Sequence, residues 1–306
     1  MKLYKIIMIA FVMVMVSPVL LGQQDVQFTQ YLYNTMSINP GYAGSLDRLD
    51  IVGIYRDQWV GIDGAPVTQN LGIHAPLRND QIGLGLNLVN DEIGPANEFI
   101  ADANFSYKIQ LSPTLRLGLG VKAGVNLFNV DFSKGDFQNP DPVLNNNIDN
   151  RFTLNLGAGA FLYSENWYLG LSVPDFITDD FYDDVDQSVS KEELQYYLIG
   201  GYVFDLNNDF KLKPTFLLKY LDGFPLVVDV SGNVLYKERF TLGVAYRYDD
   251  AISGLAGFQV LESLFIGYSY DYTLTDLSNY NDGTHEVILR FMLPSRNKTI
   301  NSPRFF

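Results

Sequence analysis

LRLGLGVKAGVNL, residues Leu115–Leu127, is the stretch whose reading decides the fold. Leu115, Leu117, Leu119, Val121, Ala123, Val125 and Leu127 alternate with Arg116, Gly118, Gly120, Lys122, Gly124 and Asn126. Successive side chains of a β-strand point to opposite faces, so the segment has one wholly apolar side and one polar or very small side. Arg239–Tyr248 repeats the pattern, with Phe240, Leu242, Val244, Tyr246 and Tyr248 against Arg239, Thr241, Gly243, Ala245 and Arg247. So does Leu264–Tyr272, where Leu264, Ile266, Tyr268, Tyr270 and Tyr272 oppose Phe265, Gly267, Ser269 and Asp271.

About fourteen such segments follow one another, at 50–57, 67–76, 81–90, 97–109, 114–128, 151–163, 166–174, 195–205, 210–221, 225–236, 239–249, 254–261, 263–274 and 284–293. Amphipathic helices of comparable strength are missing between them. Connections after even-numbered segments are short, and those after odd-numbered ones tend to be longer, with exceptions at Asp222–Phe224 and Asp250–Ser253. That alternation fits an up-and-down barrel with tight turns on one rim and long loops on the other. A Greek-key sandwich has no reason to alternate so. The faces agree: an apolar face in water needs a covering layer, whereas hydrocarbon outside and a polar lumen inside need none. The expected fold class is therefore all-β, a transmembrane up-and-down antiparallel barrel spanning 50–293. Tyr31, Tyr163, Tyr168, Tyr196, Tyr197, Tyr202, Tyr220, Tyr236 and Tyr280 are candidates for the interfacial aromatic girdles, packing being the equal alternative for each.

Before the barrel, residues 1–22 read as a secretory signal peptide, with Lys2 and Lys5 ahead of an apolar run from Ile6 to Val16. That run is shorter than a membrane-spanning helix needs. The chain has no cysteine, which excludes both a lipoprotein anchor and a disulfide framework. With Lys2 and Lys5 set aside, 35 acidic residues stand against 19 basic ones, a net charge near −16. Such a balance argues against nucleic acid as a partner. Localisation in the outer membrane follows, with membrane lipid as one partner.

Residues 23–49 have neither strand nor helix period. QYLYNTMSINPGYAGS (Gln30–Ser45) cannot face lipid, because its backbone groups would go unpaired there. It is expected at the periplasmic mouth, or folded into the lumen as a plug. Residues 294–306 form a C-terminal tail.

Candidate chemistry is thin. His74 and His285 sit in no metal-ligand spacing, and nothing pairs either with a nucleophile. GLGVKAG (Gly118–Gly124) lacks the GK[ST] ending of a phosphate loop and is better read as lumen-side glycine easing strand curvature. Asp179, Asp180, Asp183, Asp184 and Asp186 form an acidic loop, a possible cation or surface-partner site whose default is a solvated loop. Arg56, Trp59, Gly61, Gly64 and Pro66 mark a tight rim loop after the first strand. No cofactor, metal or catalytic residue is expected.

Several stretches resemble the PorP/SprF family of Bacteroidota outer-membrane proteins: QDVQFTQYLYNTMSINPGYAGS, YRDQWVGIDGAPVTQNLGIHAPL (Tyr55–Leu77), LGLNLVNDEIGP (Leu84–Pro95), DPVLNNN (Asp141–Asn147), YLGLSVPDF (Tyr168–Phe176), GYVFDLNNDFKLKPTFLLKY (Gly201–Tyr220) and GYSYDYTLTDLSNYNDGTHEVILRF (Gly267–Phe291). Gln27, Gln30, Tyr31, Asn34, Asn39, Pro40, Tyr42, Ala43 and Gly44 carry the N-terminal signature. The resemblance implies a non-enzymatic barrel linked to the type IX secretion system. Its implied partners are periplasmic secretion components and a large secreted, adhesin-like protein of the gliding type. On that basis the signature residues are expected to seal the periplasmic mouth or to dock a periplasmic partner. A small-solute channel is the alternative, and a lipid-modifying enzyme and a soluble sandwich are weaker rivals.

Overall fold

The computed structural model describes residues 27–77, 80–134, 147–176, 194–222 and 224–293. The expected signal peptide, the acidic loop at Asp179–Asp186 and the C-terminal tail lie outside the described residues.

Every pairing among the described strands is antiparallel. They run β1 (Asp50–Asp57), β2 (Val67–Pro76), β3 (Ile82–Ile93), β4 (Ala96–Gln110), β5 (Arg116–Val130), β6 (Ile148–Tyr163) and β7 (Trp167–Val173). Then come β8 (Gln195–Tyr202), β9 (Phe204–Asp205), β10 (Phe210–Leu221), β11 (Val227–Tyr236), β12 (Phe240–Arg247), β13 (Ala251–Leu261), β14 (Leu264–Thr273) and β15 (Thr284–Met292). β1 pairs with β15 as well as with β2, so the sheet closes on itself and has no edge. Phe204 opposite Leu212 and Gly201 opposite Thr215 keep one register against β10. β9 is thus the two-residue continuation of β8 beyond Val203, and the barrel has fourteen staves.

Because neighbours in the sheet are neighbours in sequence, the two rims differ in kind. One carries the short turns 77–81, 111–115, 164–166, 206–209, 237–239 and 262–263, together with the start of β1 and the end of β15. The other carries 58–66, 131–147, 174–194 and 274–283, besides the tight connections at 94–95, 222–226 and 248–250.

Parity sorts the side chains as the sequence pattern requires. Leu119, Val121, Leu154, Leu171, Leu242 and Val244 are exposed on the outer wall, the last two at 66%. Asn70, Lys122, Lys213, Asp229, Arg247 and Arg290 are buried on the inner wall. In water this would be an inverted protein. With hydrocarbon outside, the exposed apolar wall is the buried one. Tyr196, Tyr202, Tyr220 and Tyr280 lie exposed, whereas Tyr31, Tyr163, Tyr168 and Tyr197 are buried inside the barrel. The latter four therefore belong to an internal core and not to a girdle. That core joins them to Phe28, Leu32, Tyr33, Met36, Tyr42, Val52, Ile54, Phe161, Ile199, Leu217, Phe265 and Ile288.

Candidate functional site

The inner core exists because the N-terminal segment fills the lumen. Phe28 to Ala43 is buried nearly throughout. The segment meets its own backbone needs with a chain of turns. Tyr33 N–H donates to Gln30 O, Asn34 to Tyr31 O, Asn39 to Thr35 O and Tyr42 to Asn39 O. One helical turn, α1 (Thr35–Ile38), and a 3-10 turn at Pro40–Tyr42 are embedded in this run. Asn39 carries the joint between them: its Oδ1 accepts from Gly41 N–H at 2.9 Å. Its Nδ2 donates to Ala160 O of β6 at 3.1 Å. Turns and side-chain acceptors together let so short a segment satisfy its polar backbone away from water.

Three polar clusters fasten the segment to the wall. At the long-loop end, Arg56 Nη1 lies 3.0 Å from Asp271 Oδ2 and 3.1 Å from Glu286 Oε2. Glu286 accepts the backbone N–H of Thr29 at 3.0 Å and of Gln30 at 2.8 Å. Thr29 Oγ1 donates to Asp271 Oδ2 at 2.6 Å. Burying these charges is tolerable because each is paired and hydrogen-bonded.

The second cluster holds the opposite end. Lys108 Nζ donates to Gly44 O at 2.9 Å and lies 3.2 Å from Asp47. Arg116 lies 2.8 Å from Asp47. The third is His74, whose Nε2 faces Asp50 Oδ2 at 3.2 Å while Nδ1 accepts from Gly44 N–H at 3.2 Å. With Nδ1 the acceptor, the ring proton sits on Nε2 and points at Asp50. Asp50 in turn takes a fork of two hydrogen bonds from Arg290, at 2.8 and 2.9 Å. Between these clusters, Tyr31 Oη meets Thr215 Oγ1 at 3.1 Å and Asn34 Nδ2 donates to Asn70 Oδ1 at 2.6 Å.

Glycine on the inner wall has a different reason from the curvature expected of it. A Cβ on Gly120 would stand 2.3 Å from Gly41 N and 2.3 Å from Pro40 C. One on Gly83 would stand 2.0 Å from Ala43 O. These positions lack a side chain because the plugging backbone passes where it would be.

The other sequence candidates divide. Gln27 is half-buried, and its Nε2 is buried with no hydrogen-bond partner among the described residues. Arg56, expected in the rim loop, is a lumen residue of β1, placed inward by the strand's parity. Trp59, Gly61 and Gly64 adopt positive φ, and Pro66 O accepts Gln58 N–H at 3.0 Å. Their loop is laced to both neighbouring loops. Val60 N–H donates to Gly283 O at 2.9 Å, and Gly94 N–H to Gly64 O at 2.9 Å. Among the described residues, no group of three or more His, Asp or Glu side chains is placed to hold a metal. Asp271, Glu286, Lys108 and Asp47 were not singled out from sequence. The inward parity of the three strand residues Lys108, Asp271 and Glu286 is readable, but their partners in the lumen are not, and Asp47 lies before β1 where no strand period places it.

The family model for the type IX secretion system membrane protein PorP/SprF matches residues 20–291. The chain belongs to the PorP/SprF family. A search of curated proteins found no match. Among solved structures, this PorP/SprF protein resembles the outer membrane protein Omp33 of Acinetobacter baumannii at 8% identity and TM-score 0.48, covering 80% of this chain and 98% of that one. It resembles a FadL homologue of Pseudomonas aeruginosa at 12% identity and TM-score 0.42, covering 80% and 88%. It also resembles the toluene transporter TodX of P. putida at 11% identity and TM-score 0.44, covering 85% and 92%. Likeness at this level carries no cargo from those proteins to the PorP/SprF barrel.

Proposed function

We propose that this protein is a non-conducting scaffold of the type IX secretion system in the outer membrane. In this reading it holds a large secreted, adhesin-like protein at the cell surface through its long-loop rim. It meets periplasmic secretion components through its short-turn rim, and it performs no catalysis. The observation that carries the reading is the lumen filled by Phe28–Leu46 and fastened at both ends. A conduit for solute or protein needs a path, and this interior is packed with side chains and backbone. Family membership supplies the secretion context. The burial of Gln30, Tyr31, Asn34, Asn39 and Tyr42 supports a sealing role for the signature more than a docking one.

The surface proteome of cells lacking this protein tests the reading. The expected result is loss of one large secreted protein from the surface, restored by the wild-type chain. An unchanged surface proteome, with solute uptake impaired instead, would favour the small-solute channel.

A further inference from the structure

We infer that the N-terminal segment threads the whole barrel, so that the Gln27 end of the chain is presented at the outer-surface rim. The contacts of the segment descend the wall in sequence order. Thr29 and Gln30 bind Glu286, the third residue of β15, and Thr29 binds Asp271, the third from the end of β14. Both strand ends, with Arg56 of β1, adjoin the long-loop rim. Asn34 reaches Asn70 in the middle of β2. Asn39 reaches Ala160, three residues from the end of β6. Gly44 reaches Lys108, near the end of β4, and Asp47 reaches Arg116, the first residue of β5. Those last contacts lie at the short-turn rim, where the chain turns into β1 at Asp50.

This inference rests on the outer-membrane reading, in which short turns face the periplasm and long loops face outward. Two consequences follow from the path. The Gln27 end of the described segment lies beside the long loops, on the side where a surface protein would be held. A pull applied there is borne by the lumen contacts of the whole segment, beginning with the buried Arg56–Asp271–Glu286 cluster. The N-terminal end is thus an attachment point backed by the entire barrel, belonging to the same face as loop 58–66.

The native chain has no cysteine, so a single introduced thiol reports alone. A short Gly-Ser insert bearing one cysteine is placed directly before Gln27 in the full-length protein. Asp63→Cys, exposed in loop 58–66, reports the long-loop rim; Glu165→Cys, exposed in turn 164–166, reports the short-turn rim. Intact cells are treated with a membrane-impermeant maleimide, then treated again after the outer membrane is opened. The expected result is labelling of the insert and of Asp63→Cys from outside, and of Glu165→Cys only after opening. An insert that labels only with Glu165→Cys, or never, overturns the threading. Should Asp63→Cys and Glu165→Cys exchange sides, the surface assignment falls through the barrel's orientation, while an insert that still tracks Asp63→Cys shows the path itself to be right.

Discussion

Gly120 and Gly254 show how much a single missing Cβ means in this barrel. At Gly254, on the lipid face, an added Cβ meets nothing within 4 Å. At Gly120 it meets the backbone of Pro40 and Gly41 at under 2.6 Å. Gly120→Ala is expected to cost about 3 kcal/mol, the upper end for overpacking, since backbone yields less readily than a side chain. Gly254→Ala should be near neutral. Urea unfolding in detergent, followed by the gel mobility of the folded barrel, reads both; equal midpoints would mean that the segment does not press on the wall. Glu286→Gln makes a second residue-scale prediction. It removes one charge facing Arg56 and weakens the two backbone hydrogen bonds at Thr29 and Gln30. A loss of about 2–4 kcal/mol is expected, read as a lower urea midpoint. At this scale the sequence discloses parity but not partnership. Glu286 is recognisable as inward-facing from HEVILRF, yet Thr29 lies 257 residues away and no local pattern joins them.

The elements were legible to different degrees. Strands from β1 to β15 were recognisable because alternation is a local property of a lipid-facing wall. Their ends were less so: β3 extends to Ile93 against an expected 90, and β13 begins at Ala251 against an expected 254. Both extensions continue the ladder at the long-loop rim; β3 ends in the charged pair Asp91 and Glu92 before Ile93, whereas in β13 the alternation of buried and exposed residues runs unbroken through Ala251–Ser253. Turn 237–239 carries a testable mismatch. Lys237 and Glu238 both have positive φ, at 49° and 54°, the geometry of a type I′ hairpin that favours Asn-Gly. Each such residue costs about 1 kcal/mol in the left-handed region. The double change Lys237→Asn with Glu238→Gly should therefore stabilise by about 1 kcal/mol, even after losing the exposed 3.2 Å contact of Glu238 with Lys211. A higher urea midpoint is the expected reading; a lower one would show that the exposed pair outweighs the turn. The N-terminal segment was the hardest element to place. Its irregularity excluded lipid, but its route through the lumen depends on contacts with most of the strands. Tyr31→Ala with Asn39→Ala should loosen it while leaving the outer wall intact, so the variant inserts but melts earlier. Unchanged secretion in that variant would confine these two residues to sealing.

For the molecule as a whole, one physical fact organises the rest: the outer wall is apolar, while the inner wall mixes polar side chains with an apolar core that packs against residues 28–46. The first half was readable from alternation, because the bilayer imposes it on every strand. The second half was readable only as one of two alternatives, mouth or plug, because filling a lumen is a matter of shape met at a distance. The glycines at 83, 118, 120 and 159 were visible as small inward residues, but only the segment lying against them explains their size. In the proposed reading, the filled lumen is what favours a scaffold over a pore. The decisive measurement is single-channel conductance of the purified, intact protein in a planar bilayer. The expected trace stays at baseline, with steady openings appearing only when the segment is displaced, as by Gly120→Leu. A large, steady open conductance from the unaltered protein would contradict the filled barrel and the scaffold built on it.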